Sequence, residues 1–417
     1  MAFIEIVGGK QLNGEVNIQG SKNAVLPILA ATVLVNGITK LNHCPKILDV
    51  YSMIKILEAI GCRLWWENSS LLVDTTNIHT STVPEEDVKK MRSSVILMGA
   101  LLGRTGAVTI TYPGGCTIGA RPIDYHLNAF KQMNVYLEEE DGLIECSTNG
   151  LKGNDILLDF PSVGATENTI LAAVLASGKT RIFNAAMEPE ICELCKFLSA
   201  CGAKIYGAGT QRIEVDGVDF LHCVEYTAAS DRIVAGTYLA AVAGCGGEAV
   251  LTGIGCGSLH TVVSVLRGMG CNIVCGDNYI IIASSGNLKP IPYIKTAPYP
   301  GFPTDMQSQF MSILTKAKGK SVISEEIFED RYQNTAEQIK FGANILVNGR
   351  EATIRGVDQL TGSEVYASEL RGGAALVIAG LMANGKTTIH NPDFIRRGYE
   401  DICRDFSLLG ASINFRE

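Results

Sequence analysis

Residues 36–64 read "NGITKLNHCPKILDVYSMIKILEAIGCRL" and contain the pattern that decides the fold. Gly37 is followed by alternating apolar and polar residues, which is typical of a helix-ending glycine and then a strand. Residues 53–60 carry apolar side chains three and four positions apart, which indicates a helix with one buried face. Gly61 then precedes a second alternating segment. The stretch therefore predicts the order strand, helix, strand.

The same pattern occurs six times, at intervals of about 70 residues. The first landmark residues are Gly37, Gly106, Gly178, Gly246, Gly319 and Gly385. The second landmark residues are Gly61, Asn134, Gly202, Gly270, Gly342 and Gly410. A helical stripe lies between the two landmarks, including the residues 399–406 of the sixth copy, and is weak in the fifth copy. Six α/β repeats, three to a domain with a boundary near residue 230, are the predicted architecture.

Composition narrows the class of protein. The chain has 417 residues, of which 47% are hydrophobic and 19% charged, and this favours an ordered globular protein. Its net charge of −8 argues against a general nucleic-acid binder, so any anionic ligand needs a local basic cluster. The N-terminus lacks a secretory pattern, and the longest apolar run, residues 24–35, is too short to cross a bilayer. We expect a cytosolic protein that does not act in a membrane.

One cysteine, Cys116, lies on a glycine-bearing loop, "PGGCTIGARP", at residues 113–122. Arg121 precedes Pro122, and proline suits the first position of a helix. We therefore expect Arg121 at a helix N-terminus, where backbone N–H groups favour an anion. A thiol beside such a site can donate a proton or act as a nucleophile. An inert loop cysteine fits the local pattern equally well.

Comparable helix entrances recur along the chain. Lys22 and Asn23 stand before an apolar helix, where a lysine can meet an anion, although an ordinary solvated lysine also fits. The other entrances carry cations, carboxylates or a small turn, namely Arg92, Ser162, Gly164, Asp305, Glu369 and Arg371. If the repeats are pseudo-symmetric, these entrances converge and form an anion-binding cleft.

Other histidine and cysteine patterns have simpler interpretations. His126 follows the loop cysteine closely enough for a Cys–His pair, but it shares an apolar helical stripe and is interpreted as a packed histidine. Cys192 and Cys195 form a single CxxC with no second pair, so we expect no metal site. Cys271 and Cys275 flank a strand-like segment and are interpreted as core residues.

Several segments together resemble the UDP-N-acetylglucosamine enolpyruvyl transferase family, and the resemblance runs from residue 4 to 415. The segments are "GSKNAVLPILAA", "PGGCTIGARPIDYHL", "SVGATENTILAA", "DRIVAGTYLAA", "PYPGFPTDMQSQF", "EEIFEDRY" and "RRGYE". The resemblance implies a two-domain inside-out α/β barrel. One domain would span residues 22–229, and the other would combine 1–21 with 230–417.

The resemblance also implies an activity. The family transfers the enolpyruvyl group of phosphoenolpyruvate to the 3′-hydroxyl of UDP-N-acetylglucosamine and releases phosphate, in the first committed step of peptidoglycan precursor synthesis. It implies a bacterial, cytoplasmic enzyme that needs no cofactor or metal and is alkylated at Cys116 by fosfomycin. Domain closure over the substrates is expected, with the cysteine loop excluding water.

Residue roles follow from the same resemblance. Cys116 would protonate the methylene carbon and form an adduct with phosphoenolpyruvate, and Asp305 would take the hydroxyl proton if burial raises its pKa. Lys22, Arg121 and Arg397 would hold phosphoenolpyruvate. The residues implied to bind the sugar nucleotide or line the cleft are Asn23, Arg92, Arg121, Pro122, Ile123, Asp124, Tyr125, Ser162, Val163, Gly164, Asp305, Ile327, Arg331, Glu369 and Arg371.

Three positions depart from the family pattern. Glu369 replaces the usual Asp, Leu48 replaces a lysine of some members, and Arg396 replaces a common acidic residue. They put turnover rate and regulation in doubt more than reaction class. Three alternatives stay open: a sister transferase acting on shikimate 3-phosphate, which the cysteine loop disfavours; a sugar-nucleotide-binding regulatory paralogue; and a cysteine hydrolase.

Overall fold

The computed structural model describes residues 2–114, 118–119 and 122–417. Contacts group these residues into two lobes, each described below by itself. Lobe 1 contains residues 20–114 and 122–229, and lobe 2 contains residues 2–19, 118–119 and 230–417. Within the described ranges, no helix has the length and apolar character needed to cross a membrane.

Short strands alternate with helices along the described chain. The strands are β1 (Phe3–Val7), β2 (Gly14–Asn17), β3 (Ile38–Asn42), β4 (Arg63–Glu67), β5 (Ser70–Asp74), β6 (Ala107–Thr111), β7 (Tyr136–Glu140), β8 (Leu143–Ser147), β9 (Asp155–Leu157), β10 (Lys179–Phe183), β11 (Lys204–Tyr206), β12 (Arg212–Asp216), β13 (Glu225–Thr227), β14 (Gly247–Thr252), β15 (Asn272–Cys275), β16 (Tyr279–Ser284), β17 (Ile294–Lys295), β18 (Lys320–Ser324), β19 (Asn344–Asn348), β20 (Glu351–Arg355), β21 (Glu364–Tyr366), β22 (Lys386–His390) and β23 (Ser412–Arg416).

The α-helices are α1 (Lys22–Thr32), α2 (Leu48–Ala59), α3 (Glu85–Lys90), α4 (Leu97–Thr105), α5 (Asp124–Gln132), α6 (Val163–Ala173), α7 (Pro189–Ala200), α8 (Arg232–Cys245), α9 (His260–Gly268), α10 (Gln307–Leu314), α11 (Thr335–Ile339), α12 (Leu370–Met382), α13 (Asp393–Arg396) and α14 (Ile402–Leu408). Short 3₁₀ helices cover Arg92–Ile96, Cys256–Ser258 and Thr304–Met306. The weak stripe of the fifth repeat corresponds to the five-residue helix α11.

All twelve landmark residues have a positive φ angle, as their predicted role requires. A strand begins directly after each first landmark, and another begins two residues after each second landmark. Asn134, the only landmark that is not glycine, has φ of 68°. Asparagine tolerates this left-handed region better than most residues, which explains how it replaces glycine there. The six predicted repeats are therefore confirmed.

Each repeat carries one small sheet. The strand orders in lobe 1 are β13-β3-β5-β4, β6-β8-β7 and β11-β12-β10-β9. The strand orders in lobe 2 are β15-β16-β14-β2, β17-β18-β20-β19 and β21-β22-β1-β23. In most sheets an antiparallel trio is flanked by a short parallel strand taken from another part of the chain, for example β13 beside β3.

The chain ends complete the sheets of lobe 2. Strand β1 pairs antiparallel with both β22 and β23, with Ile4 opposite Ile389 and Phe415. Strand β2 runs parallel to β14. The sixth repeat thus takes its third strand from the first residues of the chain, which joins residues 3–17 to the C-terminal half.

Apolar helices fill the interior of each lobe. Every residue of α12 is buried, and α8 is buried from Arg232 to Gly244, as expected of helices that are apolar on all sides. The strands bury alternate residues, so their sheets cover these helices. In lobe 2, α8, α10 and α12 pack against one another. This arrangement, with helices inside and sheets outside, confirms the predicted α/β class.

Two predicted helix starts are wrong by a few residues. Helix α5 begins at Asp124 rather than Pro122, because the first turn is closed by the His126 N–H, which donates to the Ile123 carbonyl at 3.0 Å. Helix α14 begins at Ile402, so Tyr399 lies outside it. The side chain of Asp401 accepts the Arg404 N–H and caps α14 there.

Candidate active site

Lys22 is the first residue of α1 in lobe 1, at the predicted helix entrance. Its ammonium lies 2.6 Å from the Asp49 carboxylate, and the Asp49 side chain is only 5% exposed. The buried ion pair fixes the lysine at the end of the helix. Asp49 was not predicted, because its only sequence signal is an acidic residue in the first turn of α2, directly after Leu48.

Asn23 and Arg92 also lie at helix entrances of lobe 1. Asn23 follows Lys22 in α1, and Arg92 opens the 3₁₀ helix that leads into α4. Close to that entrance, the Gly99 N–H donates to Asn168 Oδ1 at 2.8 Å. A Cβ atom at Gly99 would lie 2.3 Å from the Asn168 carbonyl oxygen, so only glycine allows α4 and α6 to approach this closely.

The Ser162–Gly164 turn and the start of α5 meet in lobe 1. Ser162 caps α6 by accepting the Ala165 N–H at 3.3 Å. A Cβ atom at Gly164 would lie 3.1 Å from the His126 ring. The structure therefore brings two predicted sugar-nucleotide segments together: Val163 in α6, and the run of Pro122, Ile123, Asp124 and Tyr125 before and within α5.

His126 itself is a packed residue, as predicted. It is 5% exposed, and its Nδ1 lies 2.7 Å from Asn168 Nδ2. Because an amide nitrogen can only donate, Nδ1 accepts this hydrogen bond and does not carry the proton in that arrangement. Asn168, which sequence reasoning missed, thus links α4, α5 and α6.

Asp305 is the centre of the charged group in lobe 2. Arg331 Nη2 lies 2.5 Å from its Oδ1, and Arg371 Nη2 lies 2.8 Å from its Oδ2. Both arginine side chains are buried, at 3% and 4% exposed, whereas the Asp305 side chain is 28% exposed. Two guanidinium groups therefore orient one partly accessible carboxylate and stabilise its ionised form.

Burial by itself disfavours the charged form of Arg371. The charge and hydrogen bond of Asp305, together with Tyr399 and Asp231, outweigh this effect, so that the pKa of Arg371 is raised overall. Arg371 consequently stays cationic beside Asp305.

A buried glutamate that the sequence did not single out organises the segment around Ile327. Glu325 is fully buried; its Oε1 accepts the N–H groups of Ile327 and Phe328, and its Oε2 accepts the Thr304 hydroxyl at 2.9 Å. Since Thr304 precedes Asp305, this one carboxylate connects two predicted site segments.

Glu369 caps α12 in the structure. Its carboxylate accepts the N–H of Arg371 at 2.7 Å and the N–H of Gly372. Aspartate is a favoured cap residue, and the additional methylene of glutamate still allows the side chain to fold back onto the helix. The departure from the family pattern therefore keeps the capping contacts.

Arg397 follows α13 in lobe 2, and its backbone N–H donates to the Asp393 carbonyl at 3.2 Å. The neighbouring Arg396 lies on the surface, where it pairs with the Asp393 side chain at 3.2 Å. Arg396, which departs from the family pattern, thus forms an ion pair on the protein surface.

Cys116 and Arg121 lie outside the described residues. The two described residues between them belong to lobe 2, where the Asp330 N–H donates to the Ile118 carbonyl at 3.1 Å.

The environments of other cysteines bear on two predictions: that the CxxC pair holds no metal, and that Cys271 and Cys275 are core residues. Burial raises the pKa of the Cys195 thiol to about 12, which keeps it protonated and disfavours metal binding. In the described part of the chain, no group of three or more His, Cys, Asp or Glu side chains is arranged to hold a metal. The core interpretation of Cys275 is wrong: this residue is exposed at the end of β15 and forms a disulfide with Cys256. Cys271 is buried, as predicted.

The chain resembles a known protein family and two solved structures. The family model for EPSP synthase (3-phosphoshikimate 1-carboxyvinyltransferase) matches residues 6–406. The solved enolpyruvyl transferase NikO from Streptomyces tendae superimposes with a TM-score of 0.89 at 23% identity, covering 99% of this chain and 98% of that one. EPSP synthase from Acinetobacter baumannii superimposes with a TM-score of 0.76 at 18% identity and full coverage of both chains. These two structures establish the fold.

Relatives of higher sequence identity define the family more narrowly than the two structures do. UDP-N-acetylglucosamine 1-carboxyvinyltransferase 2 of Caldanaerobacter subterraneus subsp. tengcongensis is 48% identical over 99% of both chains. UDP-N-acetylglucosamine 1-carboxyvinyltransferase 1 of Halalkalibacterium halodurans is 46% identical over 99% of this chain and 94% of that one. From this identity over nearly the whole length, the chain belongs to the UDP-N-acetylglucosamine 1-carboxyvinyltransferase family of enolpyruvyl transferases.

Proposed function

We propose that this chain transfers the enolpyruvyl group of phosphoenolpyruvate to the 3′-hydroxyl of UDP-N-acetylglucosamine, releasing phosphate, and that Asp305 is the base. The observation that carries the proposal is the Asp305 carboxylate, which Arg331 and Arg371 hold at 2.5 and 2.8 Å while leaving it partly accessible. The relatives at 46–48% identity support the choice of substrates.

The reaction is an addition followed by an elimination. In the addition, the 3′-oxygen bonds to C2 of phosphoenolpyruvate, the hydroxyl proton passes to Asp305, and the methylene carbon takes a proton from Cys116. In the elimination, the new methyl group returns a proton to the Cys116 thiolate, the bond between C2 and the phosphate oxygen breaks, and the proton taken by Asp305 leaves with the phosphate. One hydroxyl hydrogen is replaced by one enolpyruvyl group, and one phosphate leaves.

Asp305 is suited to the base role by its orientation. Both of its oxygens are engaged by guanidinium groups, so the carboxylate cannot rotate freely and its orientation towards a substrate hydroxyl is restricted. The two ion pairs favour its carboxylate form, so Asp305 starts the reaction able to accept a proton. Asp305 therefore accepts the proton only as the 3′-oxygen attacks.

Cations placed at helix ends are proposed to bind phosphoenolpyruvate. Lys22 sits at the N-terminus of α1 and is held by Asp49 at 2.6 Å, so a phosphate or carboxylate there meets both the ammonium and the helix end. Arg397 and Arg121 complete the proposed set. The assignments of Arg121 and Cys116 rest on the family resemblance of their loop.

The sugar nucleotide is proposed to bind through residues of both lobes. In lobe 1, the proximity of Gly164 to His126 supports a joint site made by the Ser162–Gly164 turn and the Pro122–Tyr125 segment, together with Asn23 and Arg92. In lobe 2, the proposed contacts are Asp305, Ile327, Arg331, Glu369 and Arg371.

The domain division and location are further proposals. Apart from residues 118–119, which group with lobe 2, contacts divide the described chain after residues 19 and 229, which supports domains of 22–229 and of 1–21 with 230–417. We place the enzyme in the bacterial cytoplasm, where its nucleotide substrate and phosphoenolpyruvate are made.

Phosphate release tests the proposed reaction. The wild-type chain is incubated with each substrate alone and with both, and phosphate is measured over time. Release is expected only with both substrates, and Asp305→Asn is expected to slow it at least about a hundred-fold, because general base catalysis contributes about 10²–10⁴. Asp393→Asn, which alters an exposed aspartate of the same lobe, is the matched control.

Two outcomes contradict the proposal. Turnover of shikimate 3-phosphate in place of the sugar nucleotide would assign the sister reaction. Calorimetric binding of UDP-N-acetylglucosamine without any phosphate release would assign a regulatory binding protein.

A further inference from the structure

One buried carboxylate supports the Asp305 turn of lobe 2. Glu325 is fully buried directly after β18, and its Oε2 accepts the Thr304 hydroxyl at 2.9 Å. Its Oε1 accepts the N–H of Ile327 at 2.9 Å and the N–H of Phe328 at 3.1 Å. Burying a carboxylate is costly unless hydrogen bonds compensate it. These neutral donors therefore hold the side chain in one place, and the side chain holds their segments in turn.

The backbone of Glu325 is held as well. Its N–H donates to the Arg350 carbonyl at 2.8 Å, and Arg350 Nη1 donates to the Glu325 carbonyl at 3.2 Å. Arg350 lies in the turn between β19 and β20, and β20 pairs with β18. The carboxylate thus extends from main chain that is hydrogen-bonded to a sheet on both sides of its peptide.

The first link from Glu325 to Asp305 runs through Thr304. Thr304 opens the 3₁₀ helix in which Asp305 is the second residue. The Thr304 hydroxyl is held by Glu325, and the Thr304 carbonyl accepts Arg331 Nε and Nη2, both at 3.3 Å. Because the peptide between the two residues is planar and stiff, a displacement of Thr304 also displaces the Asp305 carboxylate.

The second link runs through Phe328 and Arg331. The Phe328 N–H is held by Glu325 Oε1, and Arg331 Cζ lies 5.8 Å from the centre of the Phe328 ring, within the range of a cation–π contact. Arg331 Nη2 in turn bonds to Asp305 Oδ1 at 2.5 Å. The two links form a closed ring of contacts that begins and ends at the Glu325 carboxylate.

We propose that Glu325 is a positioning residue for the transfer reaction: through Thr304, and through Phe328 and Arg331, it holds the Asp305 carboxylate in its reactive orientation. This inference rests on the proposed function, because it assumes that Asp305 is the base. Loss of the Thr304 link alone should affect the chemical step and not substrate affinity. Loss of the whole carboxylate should also weaken binding of the sugar nucleotide, since it frees Ile327.

The test removes one hydroxyl at a time. Thr304→Val keeps the shape of the side chain and loses the bond to Glu325, whereas Thr304→Ser keeps the hydroxyl. Ser324→Ala is the matched control, since Ser324 is 2% exposed and its hydroxyl donates at 2.7 Å to the neighbouring carboxylate of Glu326. Single-turnover rate constants at saturating enzyme are measured, because they do not depend on the fraction of folded molecules, together with KM for both substrates and melting temperatures.

Thr304→Val is expected to lower the single-turnover rate constant about ten-fold, since small misplacements of a catalytic group cost one to two orders of magnitude, with both KM values within about two-fold of wild type. Thr304→Ser and Ser324→Ala are expected to keep the rate constant within about two-fold of wild type. Glu325→Ala is expected to lower it at least as much as Thr304→Val and to raise KM for UDP-N-acetylglucosamine. Adding Thr304→Val to Glu325→Ala is expected to have no further effect, because the bond is already lost.

A wild-type rate constant in Thr304→Val, an equal loss in Thr304→Ser or Ser324→Ala, or a further loss in the double variant would overturn the inference. If Glu325→Ala does not fold, the three hydroxyl variants still decide the matter, because they leave the carboxylate in place. Asp305→Asn separates the two levels: full activity in that variant refutes the proposed function, whereas an inactive Asp305→Asn with a fully active Thr304→Val refutes only the role of Glu325.

Discussion

Replacing Arg331 by methionine removes its hydrogen bonds to the Asp305 carboxylate and to the Thr304 carbonyl. The Arg331 guanidinium bonds to Asp305 Oδ1 at 2.5 Å and, through Nε and Nη2, to the Thr304 carbonyl at 3.3 Å, with its side chain 3% exposed. Breaking a buried ion pair by removing one partner costs about 3–5 kcal/mol. Because Asp305 is 28% exposed and keeps Arg371, its charge is not left without a partner, and we expect the lower value, about 3 kcal/mol.

The assay is thermal unfolding at neutral pH, followed by activity measurements on the folded variant. For a lobe of about 200 residues, a loss of 3 kcal/mol corresponds to a decrease of roughly 6–12 °C in melting temperature. Arg396→Met is the control, since Arg396 and Asp393 are 53% and 73% exposed and such pairs contribute at most about 1 kcal/mol. Turnover of Arg331→Met should also decrease, because the Asp305 carboxylate loses one of the two guanidinium groups that orient it. Equal melting temperatures for the two variants would refute the reasoning.

Three further predictions concern stability. Glu369→Ala should cost about 1 kcal/mol by uncapping α12, whereas Glu369→Asp should unfold like wild type; equal losses in the two variants would exclude the capping role. The Cys256–Cys275 bond spans 19 residues, so adding a reductant should destabilise the oxidised wild type by about 3 kcal/mol in chemical unfolding and leave Cys256→Ser unchanged; the same reductant response in both proteins would show that the bond does not form. Burial, together with Glu190 and Glu188, raises the pKa of Glu167 well above its usual 4.5, so the folded state binds this proton more tightly than the unfolded chain. Its contribution is therefore fully present below about pH 4.5 and is lost as pH rises towards the folded-state pKa, so the stability advantage of Glu167→Gln over wild type should grow over that range, and a constant difference between pH 4 and 8 would contradict the assignment.

The repeat architecture could be predicted because it depends on local rules. Each landmark needs a left-handed residue between a helix and a strand, and glycine, or asparagine at position 134, meets that need without tertiary contacts. Two helix starts could also be predicted, since Ser162 and Glu369 precede apolar runs and cap α6 and α12.

The partners within the site could not be predicted. Asp49 reaches Lys22 from α2, and Glu325 joins two loops by bonding to Thr304 and Ile327, contacts that depend on tertiary packing and leave no local pattern. Tyr399 was assigned to a helical stripe because its spacing matched, yet it lies in the segment between α13 and α14. The spacing thus located the helix but not its first residue.

The most direct test of the central claim is the mass of the sugar nucleotide after incubation with the wild-type chain and phosphoenolpyruvate. The account predicts that UDP-N-acetylglucosamine gains one enolpyruvyl group in place of a hydrogen, in equal amount to the phosphate released, and that Asp305→Asn forms little of this product. Phosphate release with a sugar nucleotide of unchanged mass would show that phosphoenolpyruvate is merely hydrolysed, and would contradict the account.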